Sequence, residues 1–276
     1  MNRVSYTMLA LSMTLSLVAL GTFDAAAAHI AARPSAPSLA AASWQPTPGP
    51  VFNNPYRKNK RFQIENRVVE AINRTPSGET IRIAAYSLDR VRVAKSLIRA
   101  KRRGVNVQLL LNDHQYTKAM VMLRGILGNN ATRNNFIYRC KNSCRGAKNS
   151  NLHTKFYTFS RTGDATDVVM TGSYNMTLNA VKWQWNDLYV SVNNPGIFSD
   201  YINLFNQMRV DYKAYQPSYV MCGRVPASEC EPEVDDLYTW VLPRQANPSA
   251  DIIMDILRDI KCEYVGSGGG TRRTSL

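Results

Sequence analysis

The chain has 276 residues, 45% of them hydrophobic, which is enough for one or two ordinary domains but not for a long array of them. Its formal net charge is +14, and its sequence pI is near 9.7. A chain this basic favours anionic partners, such as nucleic acid, anionic lipid head groups or other phosphates, over cationic ones, and the charge does not choose among the anionic partners.

Residues 1–28 have the features of a secretory signal peptide. A positively charged start is followed by the apolar run Met8–Leu20, which is too short for a comfortable membrane span, and by the small residues Ala26–Ala28 at the expected cleavage site. A membrane anchor is the alternative interpretation. Residues 29–50 are rich in Ala, Pro and Ser, which is typical of a linker. We therefore expect a secreted protein whose folded part begins at Val51.

The next part of the chain has the pattern of a βαβ unit. Apolar periodicity predicts helix Phe62–Asn73, strand Thr80–Tyr86, helix Arg90–Arg103 and strand Val105–Leu111. The last strand is almost continuously apolar, as parallel strands covered on both faces tend to be. Ligands of such sheets bind beyond the carboxyl ends of the strands. Residues 86–87 and 112–114 are therefore expected to form walls of a site.

The stretch from His153 to Asn175 carries the residues best suited to chemistry. His153 and Lys155 are two positions apart, so in a strand their side chains would share one face. A second apolar strand, Asp167–Met170, leads to the pair Gly172–Ser173, where the glycine is expected to allow close approach of the backbone to a ligand. Asn175 adds an amide. An imidazole, an ammonium and neutral donors together suit a phosphodiester.

This ordered pattern, His-x-Lys followed by a strand and Gly-Ser-x-Asn, resembles the active-site motif of the phospholipase D superfamily. The resemblance extends over roughly Val51 to Tyr212. It implies a metal-independent phosphodiesterase without a cofactor, in which His153 acts as the nucleophile or acid/base. It also implies that Lys155, Ser173 and Asn175 hold the substrate phosphate.

The resemblance also implies a role for Asp187, which begins the strand predicted after the motif. In the family an acidic residue at this place hydrogen-bonds the catalytic histidine, so Asp187 would orient His153. One position departs from the family pattern. An Asp usually follows the lysine by five residues, and Ser160 stands there in this chain. Asp164 and Asp167 are nearby, but neither is in register.

Five cysteines are compatible with export and disulfide formation. Cys140–Cys144 and Cys222–Cys230 are each spaced to close a small loop, which leaves Cys262 unpaired. Metal binding is the alternative, but no histidine lies near them at ligand spacing. The first pair lies within a basic loop, Arg139–Lys148, directly before the motif, where positive charge would raise the local concentration of phosphate groups.

The expected fold is α/β, a mixed sheet covered by helices on both faces, formed by residues 51–215. Residues 216–245 have the composition of a connector. Residues 246–276 weakly repeat the order seen after Val51, which indicates the opening of an incomplete second half. An ordinary C-terminal helix with a tail is the alternative.

The motif occurs once in this sequence, whereas many members of the superfamily have two. Three functions follow from this arrangement. The first is a secreted phospholipase D-like enzyme that cleaves the distal phosphoester of phospholipids through a phosphohistidine and acts at a membrane surface. The second is an endonuclease that pairs two copies of the chain as a homodimer. The third is an inactive, truncated half that binds anionic phosphates.

Overall fold

The structure is a computed structural model, and it describes residues 43–146, 150–214, 216, 219–221, 239–241, 263–265 and 271–273. The predicted signal peptide, most of the predicted linker, the Cys222–Cys230 pair and Cys262 lie outside these residues. Within them, no helix has both the length and the apolar character needed to cross a membrane.

Five α-helices and eleven strands are described, besides one short 3-10 helix (Asn142–Cys144). In chain order they are β1 (Gly49–Phe52), α1 (Gln63–Arg74), β2 (Thr80–Ala85), α2 (Val91–Arg102), β3 (Asn106–Asn112), α3 (Lys118–Leu127), β4 (Phe136–Cys140), β5 (Phe156–Thr162), β6 (Ala165–Gly172), α4 (Leu178–Trp183), β7 (Asp187–Ser191), α5 (Pro195–Met208), β8 (Tyr219–Met221), β9 (Thr239–Val241), β10 (Glu263–Val265) and β11 (Thr271–Arg273).

Seven strands form one mixed sheet in the order β1-β7-β6-β5-β2-β3-β4. The pairs β2–β3 and β3–β4 are parallel, and the four remaining pairs are antiparallel. Consequently β1, β2, β3, β4 and β6 run in one direction, and β5 and β7 run in the other. The predicted βαβ unit and the predicted pairing of the motif hairpin with the strand that starts at Asp187 are confirmed.

Helices cover both faces of the sheet, as predicted. One face packs on α1, α2, α3 and α4, where alternate residues such as Ile83, Leu109 and Met170 are fully buried. The opposite face packs on α5, where Phe156 of β5 contacts the rings of Tyr201 and Phe205. Burying apolar side chains on both faces is the main force that holds such a sheet together.

The folded unit begins before Val51, the predicted boundary. Trp44 packs against the core, and both its backbone N–H and the hydroxyl of Ser43 donate to the carboxylate of Asp164. Gly49–Phe52 then pairs antiparallel with β7. The end of the predicted linker is therefore part of an edge strand. Its local sequence does not indicate a strand because its pairing partner lies about half the chain further on.

Two segments of the C-terminal region are described. Strands β10 and β11 pair antiparallel as a two-stranded sheet. The repeat predicted over residues 246–276 has no strand at the place of β10, so this hairpin is an addition to the predicted order. The predicted helix and glycine-rich turn of that repeat lie outside the described residues.

The first predicted disulfide, Cys140–Cys144, is present at the end of β4. Two of the arginines in the predicted basic loop make hydrogen bonds within the protein near this disulfide. The guanidinium of Arg139 donates to the carbonyl of Asp113 at 2.5 Å, and buried Arg145 donates to Gln207 at 2.7 Å. Lys141 is exposed. The loop is thus partly a structural connection between β4, α5 and the loop after β3.

Candidate active site

The motif residues come together along one edge of the seven-stranded sheet, the edge that is formed by the ends of the strands. In the pairing register, Phe156 at the start of β5 lies opposite Ala84 near the end of β2 and opposite Thr171 near the end of β6. Gly172 in turn lies opposite Leu188 of β7. His153 and Lys155, the starts of β5 and β7, and the ends of β2, β3 and β6 are therefore neighbours at this edge.

Lys155 is a buried ammonium, 5% exposed, in the segment that leads into β5. Its Nζ donates to the backbone carbonyl of His153 and lies 5.8 Å from the ring centroid of Tyr86. Among the described residues no carboxylate pairs with it. Burial without such a partner lowers the pKa of Lys155 to about 8. An ammonium has three donor hydrogens, so donors remain for an anionic ligand.

His153 lies at the surface beside this lysine. Its ring meets the ring of Tyr86 edge-on, with centroids 5.1 Å apart. Partial burial, and then the charge of Lys155, lower the pKa of His153 below its usual value, so its imidazole is mainly neutral at pH 7. The His-x-Lys spacing predicts both residues within a strand on a shared face. They instead precede β5, and they converge because each contacts Tyr86.

The ring of His114 also contacts Tyr86. The two rings are stacked, with their centroids 3.8 Å apart. The amide of Asn112 fixes its protonation: Oδ1 of Asn112 accepts from the N–H of Leu152 at 2.7 Å, so its Nδ2 must donate to Nδ1 of His114 at 2.9 Å. Nε2 of His114 therefore carries the hydrogen and donates to the hydroxyl of Ser87 at 3.0 Å. Burial also lowers the pKa of His114. This histidine is a neutral wall of the site.

Ser173 and Asp187 are bound directly to each other. The Ser173 hydroxyl donates to Oδ1 of Asp187 at 2.5 Å and accepts from the Asp187 N–H at 3.0 Å, while the Ser173 N–H donates to the Asp187 carbonyl at 3.2 Å. The predicted contact between Asp187 and His153 is absent: no hydrogen bond or ion pair joins them in the described part of the chain. As placed here, Asp187 holds the serine of the motif.

Gly172 has a structural role that differs from the predicted one. A Cβ added there would lie 2.4 Å from the backbone oxygen of Asp187 and 3.0 Å from Cα of Leu188. The glycine therefore permits the close packing of β6 on β7, and through it the contact between Ser173 and Asp187. The packing of these two strands requires glycine at this position. The predicted close approach of the backbone to a ligand is not the reason.

Asn175 follows the glycine corner with its Oδ1 buried and without a hydrogen-bond donor among the described residues. The intervening Tyr174 anchors the corner to the core. Its hydroxyl donates to the buried carboxylate of Glu65 at 3.3 Å, and its backbone carbonyl accepts from Tyr157 at 2.9 Å. Arg90 also pairs with Glu65 at 2.6 Å. The motif backbone is thus fixed from below by polar groups on α1 and β5.

The position that departs from the family pattern lies away from the site. Ser160 is next to Phe159, which pairs with Ile81 at the start of β2, so it lies at the opposite edge of the sheet from Lys155. Its hydroxyl donates to Glu79 at 2.6 Å and accepts from the N–H of Thr80 at 2.8 Å. Asp164, in the hairpin turn, binds Ser43 and Trp44. The departure therefore changes a structural contact and leaves the motif side chains in place.

Sequence reasoning missed Tyr86 as an organising residue and Glu65 as a support. The sequence predicts Tyr86 as part of a site wall, and it does not predict that His153, Lys155 and His114 all meet this ring. Its position at the carboxyl end of a buried strand was the available signal. Glu65 lies at the buried face of an amphipathic helix between Ile64 and Val68, and a carboxylate on that face was the signal available there.

The family model described as "Cardiolipin synthase, PLD-like domain" matches residues 68–209, just over half of the chain. Together with the mixed sheet and the ordered motif, this match shows the class of the protein. The chain belongs to the phospholipase D-like family, within a superfamily of phosphodiesterases. No curated protein matches the sequence.

Solved structures that are similar to this one include the following three. Nuc from Salmonella typhimurium, a phospholipase D family member, is 20% identical with a TM-score of 0.45, and the match covers 62% of this chain and 99% of that one. NucT from Helicobacter pylori is 19% identical with a TM-score of 0.43, covering 56% and 92%. Polyphosphate kinase from Porphyromonas gingivalis is 12% identical with a TM-score of 0.42, covering 62% and 27%.

Proposed function

We propose that the protein is a secreted phosphodiesterase that hydrolyses the distal phosphoester of phospholipids. The observation that carries the proposal is the state of Lys155. A buried ammonium without a carboxylate is costly, and such a charge is retained where an anion can take the partner's place. An exposed, mainly neutral imidazole lies beside it. This pair suits nucleophilic attack on a phosphate that the lysine holds.

The reaction follows from these two groups. A ring nitrogen of His153 bonds to phosphorus, the bond from phosphorus to the head-group oxygen breaks, and that oxygen takes a proton from a general acid. Water then attacks the phosphorus and gives a proton to the deprotonated general acid, which is thereby restored; the P–N bond breaks, and phosphatidate leaves with the imidazole restored. Lys155 stabilises the negative charge that builds on the phosphoryl oxygens. In this proposal the general acid is His153 of a second copy, as the single motif implies.

The neutral donors complete the phosphate site in this proposal. The buried Oδ1 of Asn175 accepts no hydrogen bond from the described residues. No such bond would therefore have to break for the side chain to turn toward a bound phosphate or its ester oxygen. Ser173 is exposed, and its one hydroxyl hydrogen is donated to Asp187, so the hydroxyl would have to turn from Asp187 to donate to a phosphate. Asp187 acts on the substrate through Ser173 here, and a direct effect on His153 would require it to move.

The test is hydrolysis of phosphatidylcholine vesicles by the full chain, measured as release of choline and phosphatidate with a chelator present. We expect turnover by the wild type and at least a thousandfold loss in His153→Ala, as roughly expected for removal of a nucleophile. His29→Ala is the matched control, since it also removes an imidazole but lies in the predicted linker. Equal activity of the His153→Ala variant and the wild type would overturn the assignment.

The net charge of +14 favours a second candidate, an endonuclease that acts as a homodimer. Plasmid DNA incubated under the same conditions distinguishes the two. Cleavage of DNA that falls steeply with salt, without hydrolysis of lipid, would select the nuclease. A folded protein that hydrolyses neither substrate would support the third reading, an inactive phosphate-binding half.

A further inference from the structure

Five aromatic side chains lie exposed around the start of β7, and we call them the aromatic surface. They comprise Tyr56 (78% exposed), Trp183 (73%), Phe52 (60%), Trp185 (60%) and Tyr189 (55%). Large exposed apolar groups that cluster in this way mark interaction sites, whereas scattered ones are ordinary. They account for half of the large exposed hydrophobic residues in the described part of the chain.

Strand pairing and a ring contact make four of these side chains neighbours, and Trp183 ends α4, two residues before Trp185. Tyr189 lies on the exposed face of β7, where its neighbour Leu188 is buried, and exposed Trp185 continues the alternation beside buried Asn186 in the segment just before β7. Phe52 pairs with Asp187, which lies between Trp185 and Tyr189 in this alternation. The ring of Tyr56 lies 6.2 Å from that of Trp185. The surface is therefore continuous with Asp187, the residue that holds Ser173 of the phosphate site.

A buried pair of asparagines fixes the two loops that present the aromatic surface. Oδ1 of Asn53 accepts from the N–H of Asn186 at 2.7 Å, and Nδ2 of Asn53 donates to the carbonyl of Gln184 at 3.0 Å. Nδ2 of Asn186 donates to the carbonyl of Ala180 at 3.1 Å. Satisfied buried amides hold a loop in one conformation. The aromatic side chains are thus exposed by a rigid backbone.

Positive charge lies at one side of this surface. Arg57, Lys58 and Lys60 follow Tyr56 in one turn and are all exposed. None of the three side chains makes a hydrogen bond or an ion pair within the described residues. Cations in this state are available for an anionic partner.

We propose that the aromatic surface and this basic turn dock the protein on an anionic lipid bilayer. Trp and Tyr suit the membrane interface because one part of the ring system is apolar and the other polar, and lysines beside them attract anionic head groups. The cations are gathered in one turn beside contiguous rings. A nucleic-acid strand would instead need cations spaced along its path. Docking would bring the edge with Ser173 and Lys155 to the lipid head groups.

This inference rests on the proposed function, because docking explains how the site would meet a phospholipid. Its test uses the full chain and vesicle flotation, with vesicles of phosphatidylcholine alone or mixed with phosphatidylglycerol. We expect stronger binding to the mixed vesicles. The double variant Trp183→Ala/Trp185→Ala and the triple variant Arg57→Glu/Lys58→Glu/Lys60→Glu should each bind mixed vesicles at least about tenfold more weakly.

The control is Val121→Ala/Ile126→Ala, which removes exposed apolar groups of α3 outside the aromatic surface and should bind like the wild type. Hydrolysis of a soluble phosphodiester, bis(p-nitrophenyl) phosphate, is measured in parallel. Unchanged soluble activity in the tryptophan variant with lost vesicle binding supports docking. Equal vesicle binding by all variants overturns docking. It is also overturned if the wild type binds an oligonucleotide but no vesicles and the tryptophan variant loses the oligonucleotide binding. Vesicle binding without any hydrolysis would reject the proposed function and leave docking standing.

Discussion

Ser173 and Asp187 are joined by three hydrogen bonds that tie the end of β6 to the start of β7. The side chain that the family pattern assigns to the catalytic histidine is therefore engaged by the serine of the motif. This relationship makes the role of Asp187 testable separately from that of His153.

Asp187→Asn should lower activity by no more than about tenfold, because the amide oxygen can still accept from the Ser173 hydroxyl and only the charge of the acceptor is lost. The acid limb of the pH profile should stay where it is in the wild type, since Asp187 does not contact His153. Steady-state kinetics across pH measures both effects. A loss of a thousandfold or more, together with a shifted acid limb, would show that Asp187 acts directly on the imidazole.

The pH dependence follows from the two shifted groups. One His153 reacts as the neutral nucleophile and His153 of the second copy as the protonated acid, so kcat should fall on both sides of their lowered pKa. Lys155 must be charged to hold phosphate, and its pKa of about 8 places the alkaline decline in phosphate affinity, measured as a rise in KM, there. Lys155→Arg keeps the charge at high pH, so any activity it retains should lack this decline. The same decline near pH 8 in that variant would show that another group causes it.

Gly172→Ala should lower the free energy of unfolding by about 1–3 kcal/mol, because the new methyl group would lie 2.4 Å from the Asp187 carbonyl oxygen. Chemical denaturation measures the change. Gly125→Ala is the matched control. Gly125 lies inside α3 with open space around its Cα, so alanine there should stabilise the protein by about 0.5–1 kcal/mol. Equal effects of the two substitutions would contradict the proposed packing of β6 on β7.

The buried carboxylate beneath the motif gives a further prediction. Glu65→Gln leaves Arg90 and Tyr174 without their anionic partner and should destabilise the protein by about 3 kcal/mol. Glu70→Gln, on the exposed side of the same helix, should change stability by less than about 0.5 kcal/mol. Thermal or urea unfolding of both variants checks this. If the two variants unfold alike, Glu65 is not the anchor of the motif backbone.

The fold class could be predicted because its core strands carry strong periodic patterns. The βαβ unit and the motif hairpin were both found in this way. The segment from Lys118 to Cys140, which forms α3 and β4, received no assignment. The first two residues of β1, Gly49 and Pro50, fall within the predicted linker because they carry no local strand pattern. The position of this strand depends on pairing with β7, far along the chain.

The candidate site was predictable in its residues and less so in its contacts. His153, Lys155 and Ser173 come to one sheet edge, as their order implied. The side chain that Asp187 contacts depends on the register of β7 against β6, and that register cannot be read from the sequence alone. The convergence on Tyr86 likewise arises from the pairing of β2 with β5, two strands separated by about seventy residues.

In the proposed mechanism His153 attacks phosphorus while Lys155 holds the phosphate. The direct measurement is acid-free denaturing quench of the protein during turnover of phosphatidylcholine, followed by mass mapping of the covalent adduct. We predict a phosphatidyl group on His153, reduced in amount in Lys155→Ala and absent from His153→Ala. Steady hydrolysis of the lipid with the adduct on a different residue, or with full activity in His153→Ala, would contradict the claim.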